Sequence, residues 1–385
     1  MKILISLLRS VLNTLLMLSF IASAHGAIVT GDILVADPAA SRLWRVDPAT
    51  GEEQAFAQVS GARDVAVSAT GEIYVLGRGV GISTNVFQVD PKTAAVTQVN
   101  TTPISSFAGL GIGLGPDGSI YVVGGGSGSI SGVHKVDPGT GVVVNVTTTW
   151  NSPSIPTDVI FESSSSLLVT SLSTGGGVYR VHVDTGNQVA VNTGSPWVGP
   201  TGITNASSGG YIVTDIHRDA VFGWDGTATD PHLISENFPG ADPRQSVVDS
   251  AGMILVADSN GPSGTRGFVI KVDPSDGSQI ILAQGQSLGL DSPAGIAIYQ
   301  AIPGPDGDFD QDGDVDGADF LVWQRDPTIG ALNDWQSNYG TPSLLAGSRI
   351  AVPEPTTVLL LLTAIVAAGL QGQLSRQLQT NRKKE

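Results

Sequence analysis

The chain has 385 residues, 49 of them Gly and 22 Pro, with a formal net charge of −16 and no Cys. So much Gly and Pro beside 41% hydrophobic residues favours an all-β body of short strands and tight turns, large enough to bury a core. The acidic balance argues against nucleic acid as a partner, and the absence of Cys excludes disulfides and thiolate chemistry, so burial and strand pairing must hold the fold.

At the N-terminus, Lys2 and Arg9 accompany an apolar run over residues 11–21, followed by Ala22-Ser23-Ala24. Charge, apolar stretch and small residues in that order predict a secretory signal over residues 1–24. The expectation is an exported bacterial protein of the cell envelope, cell surface or extracellular matrix.

From residue 27 to residue 300 the sequence repeats itself. A strand-and-turn unit recurs as Val46-Asp47-Pro48-Ala49-Thr50-Gly51, Val89-Asp90-Pro91-Lys92-Thr93, Val136-Asp137-Pro138-Gly139-Thr140-Gly141 and Val272-Asp273-Pro274-Ser275-Asp276-Gly277. Weaker copies end at Asp184-Thr185-Gly186 and Trp224-Asp225-Gly226. Six copies about 45 residues apart match the period of a propeller blade. Each is a turn signal: Pro presets φ, Asp caps the turn and Gly takes the left-handed position.

Before each turn lies a short apolar run, such as Ile33-Leu34-Val35-Ala36 or Ile254-Leu255-Val256-Ala257, suited to a strand buried on both faces. A further element precedes five of these runs: Asp64-Val65-Ala66-Val67, Gly111-Ile112-Gly113-Leu114, Asp158-Val159-Ile160-Phe161, Gly202-Ile203-Thr204 and Ser246-Val247-Val248. The sixth copy, Gly295-Ile296-Ala297-Ile298, stands at the far end. This predicts a six-bladed β-propeller closed by a C-terminal strand, an arrangement that covers sheet edges.

The order Gly-Ile-Ala-Ile, Gly-x-Ile-Tyr-Val, Val-Asp-Pro-x-Thr-Gly resembles the NHL and SMP-30-like six-bladed propellers. The resemblance implies the fold, while the function stays open among binders, lactonases and lyases. Lactonase-like relatives hold calcium in the central channel, and Asp64 and Asp158 occupy matching blade positions that could face it. Two carboxylates fall short of the six to eight oxygens that calcium takes. His217, beside Asp215 and Arg218 at a strand end, is an acid–base candidate, because His titrates near neutral pH.

Past a Pro-Gly linker at residues 301–307, Asp308, Asp310, Asp312, Asp314, Asp316 and Asp319 fall at positions one, three, five, seven, nine and twelve of a loop with Gly313 at six. That spacing predicts a Ca2+ site, because the glycine turn lets alternate oxygens converge. Helices are expected over residues 318–325, with Phe320 and Trp323 on one face, and over residues 332–339, with Leu332, Trp335 and Tyr339 aligned. Asp at position twelve, and Pro303-Gly304-Pro305 where a helix would enter, make residues 308–340 resemble a dockerin type I module. Dockerins generally carry a second calcium loop, which nothing near Asn333 and Asp334 rebuilds. Two roles stay open, a calcium-stiffened joint and a dock for a cohesin-like protein.

After a second linker at residues 341–352, Pro353, Glu354 and Pro355 precede an apolar run over residues 358–370, and Arg382, Lys383 and Lys384 end the chain's basic tip. This resembles a PEP-CTERM sorting signal, which implies an exosortase-type protease and a transient membrane helix held by its basic flank. Together the segments suggest a surface or matrix protein that binds a glycan or protein partner. The alternative is a secreted propeller hydrolase or lyase acting on a lactone or polysaccharide.

Overall fold

The computed structural model describes residues 28–341, apart from 127–130, 148, 151–153, 174–175, 228–230, 260–265, 286–288, 301–305, 311–313 and 328. The chain divides into two compact units, Met1–Ile302 and Pro303–Glu385.

The first unit is an all-β, six-bladed propeller. Each blade is an antiparallel sheet of four strands, and the second blade adds the short strand Ile104–Ser105. The first strands of blades two to six are Asp64–Val67, Ala108–Leu114, Ile155–Ser163, Pro200–Asn205 and Pro243–Val248. In blade one that place is taken by Gly295–Ile298, which pairs with Ile33–Asp37. Each of these six packs against its counterparts in the two neighbouring blades, so they are the inner strands around the axis.

The second strands are the apolar runs, and their burial explains their composition. Ile33–Asp37 and Ile254–Asp258 are buried at every residue. Successive side chains on a strand point to opposite faces. Leu34 and Ala36 therefore join Val65, Ile73 and Val75 of blade two, while Ile33 and Val35 join Leu255, Ala257 and Val269 of blade six. Equivalent clusters fill the other four blade interfaces. Each fully buried Val, Leu or Ile contributes about 1.5–3 kcal/mol, an upper estimate because the unfolded chain already hides some surface.

The Val-Asp-Pro turns lie at the opposite end of the blades from the start of the inner strands. In the first, the Asp47 carboxylate accepts hydrogen bonds from the N–H groups of Ala49 (2.9 Å) and Thr50 (2.8 Å), and Gly51 takes φ +71°. Asp90 and Asp137 repeat the arrangement.

The second unit contains two short helices, α1 (Gly317–Arg325) and α2 (Leu332–Asn338). The first starts one residue before the expected position because Asp316 caps it, accepting from the Ala318 N–H at 2.7 Å. Helices this short are marginal alone and need tertiary contacts. Phe320 and Tyr339 supply them by flanking Trp335, each ring centroid 5.0 Å from its own, and the Trp335 indole donates to the Asp316 carbonyl at 2.6 Å. Buried Val315 bonds through its backbone to Gly340 and Thr341, fixing the loop against the end of α2.

Candidate functional site

Strand register fixes six equivalent positions around the axis: Asp64, Gly111, Asp158, Gly202, Gln245 and Gly295, paired respectively with Leu76, Val123, Thr170, Thr214, Ala257 and Ala36. Side chain and glycine alternate around the ring. The Asp64 carboxylate accepts from the Ile112 N–H (2.7 Å) and the Asp158 carboxylate from the Ile203 N–H (2.8 Å), while the Gln245 side-chain oxygen accepts from the Ile296 N–H (2.8 Å). Each of the three thus bolts its own blade to the next. The glycines make room, since a Cβ at Gly111 would lie 2.5 Å from the Thr157 carbonyl oxygen, and one at Gly295 2.5 Å from the Asp64 Cα.

In blade six the ring residue is Gln245 and not Ser246, the start of the element expected from the sequence. Gln245 is the residue opposite Ala257, whereas Ser246 lies opposite Val256. Counted from the ring position, the apolar run of blade six begins one residue later than in blades two to five. The Gln245 amide donates to Asp64 at 3.2 Å and also reaches Asp158, so it joins the two carboxylates at the axis.

Burial dominates the electrostatics here. It pushes the Asp158 carboxyl up to about 7, and it raises Asp64 well above the usual carboxylate range, with the nearby Asp158 charge adding to the effect. Burial therefore works against two negative charges side by side at the axis.

Immediately before the ring, a β-bulge opens four of the inner strands. Leu110, Thr157, Thr201 and Arg244 are each the extra residue between two paired ones. In the other two strands the N–H of Arg63 donates to the Leu76 carbonyl (2.7 Å) and that of Ala294 to the Ala36 carbonyl (2.9 Å). Bulges re-aim side chains, and these six residues, with Asp158, Leu172 and Gln245, line a cavity of about 50 Å³ at the channel mouth. No periodic pattern marks them; the only signal is a charged or hydroxyl residue just ahead of several inner strands.

His217 is exposed in the loop after Tyr211–Asp215, and its backbone N–H donates to the Asp215 carboxylate at 3.1 Å. It does not line the cavity at the channel mouth. Asp37, Asp215 and Asp258 end three of the second strands, fully buried. Asp215 accepts from the N–H groups of Val198 (2.8 Å), Gly199 (2.9 Å) and Arg218 (3.1 Å), so this carboxylate fastens two loops together.

In the second unit, carboxylate oxygens of Asp308, Asp310 and Asp319 lie within 4.8 Å of one another, as do those of Asp314, Asp316 and Asp319. Asp319 is shared, buried, and accepts from the N–H groups of Phe309 (2.7 Å), Asp310 (3.0 Å) and Asp316 (2.7 Å). Converging oxygens on a tight loop fit a hard cation such as Ca2+. Asp312 and Gly313, the signal at residues 1–24, and the tail with Pro353, Glu354, Pro355, Arg382, Lys383 and Lys384 lie outside the described residues. Among the described residues no helix is long and apolar enough to cross a membrane.

Neither a family model nor a curated protein matches this chain. Solved structures match the propeller. A chain of a nidogen–laminin complex is 12% identical with a TM-score of 0.57, over 70% of this chain and 98% of that one. A streptogramin B lyase is 16% identical with a TM-score of 0.50, over 69% of this chain and 83% of that one. A virginiamycin B lyase from Staphylococcus aureus is 14% identical with a TM-score of 0.50, over 71% and 87%. At these identities the likeness is one of fold.

Proposed function

We propose that this chain is an exported bacterial surface or matrix protein whose propeller, closed by its C-terminal strand, binds a glycan or protein partner without catalysing a reaction. The observation that carries the reading is the use already made of the channel carboxylates. Asp64 and Asp158 accept backbone N–H groups of the next blade and are joined through Gln245. They serve as bolts between blades, and burial favours their protonated forms, which are poor ligands for calcium.

In this reading the dockerin-like unit binds Ca2+ through Asp308, Asp310, Asp312, Asp314, Asp316 and Asp319. It acts as a stiffened joint or as a dock for a cohesin-like protein. The Pro353-Glu354-Pro355 box, a transient membrane helix and the Arg382, Lys383 and Lys384 flank pass the protein to an exosortase. A secreted hydrolase or lyase is the second reading, drawn from the two lyases that share the fold.

Screening the purified protein for lactonase, esterase and glycan-lyase turnover, with and without EDTA, separates the two. The expected outcome is binding on a glycan array and no turnover. Calcium-dependent turnover lost in both Asp158→Ala and the milder Asp158→Asn would overturn the binding reading. Calorimetric titration with Ca2+ should give heat and added helicity that Asp319→Ala abolishes.

A further inference from the structure

We propose that the mouth of the central channel binds a carboxylate group between the guanidinium groups of Arg63 and Arg244. The inference rests on the reading of the propeller as a binder and adds the place and the chemical class of the ligand.

Size is the first constraint. The cavity is small, about 50 Å³. A compact head such as a carboxylate suits it, with the rest of a larger ligand lying above the rim of half-exposed Arg63, Leu110 and Arg244.

The second constraint is the state of the two arginines. Among the described residues the Arg63 guanidinium has no hydrogen-bond or ion-pair partner. Arg244 meets Asp242 through Nη2 at 2.7 Å, but its Nε is buried without a partner. Burial first, and then the charge of Arg244, push the Arg63 guanidinium down to about 10. Both guanidinium groups are thus partly desolvated and short of partners, and a bound anion supplies the missing acceptor.

Charge balance selects the anion. The charges of Asp64 and Asp242 both act on Arg63, and Asp158 forms part of the cavity wall. Asp242 is engaged by Arg244, and burial raises both Asp64 and Asp158, so the carboxylates at the mouth only partly offset the two arginines and a positive surplus remains. A monovalent carboxylate suits this small surplus better than a divalent phosphate. The Thr157 and Thr201 hydroxyls already donate to the carbonyls of Pro200 (3.1 Å) and Pro243 (3.2 Å), leaving the guanidinium groups as the side-chain donors. Their planar forks suit carboxylate geometry.

The test titrates the full exported protein with acetate, glucuronate, glucose and inorganic phosphate, by calorimetry and by NMR of the ligand. Acetate and glucuronate should bind at roughly millimolar strength, as expected for so few contacting atoms, and glucose should not. Arg63→Gln should weaken acid binding about tenfold or more while the melting temperature holds or rises, and Arg63→Lys should retain part of the affinity. Tighter binding of glucuronate than of acetate assigns an acidic sugar, and equal binding assigns a free small acid. The site is overturned if neither acid binds the folded protein, if Arg63→Gln leaves binding unchanged, or if phosphate is preferred. Acid binding accompanied by turnover keeps the site and sinks the non-catalytic reading. Glycan binding without acid binding sinks the site alone.

Discussion

Two sets of aspartates in the propeller do the same local job in opposite surroundings. At the turn end, Asp47 and Asp137 accept backbone N–H groups in water, and those bonds hold their carboxyls below the usual range. At the axis, Asp64 and Asp158 also accept backbone N–H groups, yet burial pushes their carboxyls up. Identical hydrogen bonds therefore do not set the protonation state; the loss of water does. The turn aspartates shape one loop each, whereas the axial pair joins separate blades.

The sharpest way to break this contrast is to remove one residue from each set. Asp64→Ala leaves the Ile112 N–H and the Gln245 amide without their acceptor, and should cost on the order of 3 kcal/mol in denaturant unfolding. Asp64→Asn keeps an acceptor and should cost less than about half of that. Asp137→Ala should cost far less than Asp64→Ala, because water replaces the lost acceptor. Equal losses at the two sites would show that the axial carboxylates are not cross-blade bolts.

A pH series probes the same contrast with a smaller effect per carboxylate. An unfolded chain releases its Asp protons near pH ~4, while folded Asp158 keeps its proton up to about pH 7. The native state binds more protons between those values, so this contribution is fully present below pH ~4 and is lost as pH rises through about 7. Asp258, pushed up to about 6 by burial, acts in the same direction. Stability at pH 8 should lie on the order of 4 kcal/mol below that at pH 5, and Asp158→Asn should remove the larger part of the slope. The turn aspartates have the opposite sign, their contribution fading as pH falls below ~4. A slope unchanged in Asp158→Asn would place its origin elsewhere.

The turn end of the propeller is legible in the sequence and the channel end only in part. Val-Asp-Pro-x-Thr-Gly is contiguous, and each of its residues acts on a neighbour two to four positions away, so spacing alone conveys the geometry. Asp64 and Asp158 stand out because they lead apolar runs at matching blade positions. Gln245 does not, since its equivalence to them depends on pairing with Ala257 and not on the run that follows. Arg63 and Arg244 are further out of reach: a bulge aims Arg244, Arg63 precedes its strand without one, and they meet only because blades two and six flank blade one around the ring. In the second unit the described carboxylates gather in two groups of three that share Asp319.

The smallest effect tests whether backbone conformation, not the carboxylate, governs the turn end. In blade two the turn reads Asp90-Pro91-Lys92-Thr93-Ala94, with Ala94 where three other copies carry Gly51, Gly141 and Gly277. Ala94 donates its N–H to the Asp90 carbonyl at 2.9 Å, as Gly51 does to Asp47, and so is held at φ +57°. A Cβ in that left-handed region costs roughly 1 kcal/mol, of which a glycine returns a part to the entropy of the unfolded chain. Ala94→Gly should therefore stabilise the propeller by about 0.5 kcal/mol, read as a rise in melting temperature. The reverse change at Gly141 should cost more than this gain, because its new Cβ would also collide with the Val99 carbonyl oxygen. If Ala94→Gly destabilised the fold, the turn end would depend on side-chain packing after all, and the contrast with the axis would lose its physical basis.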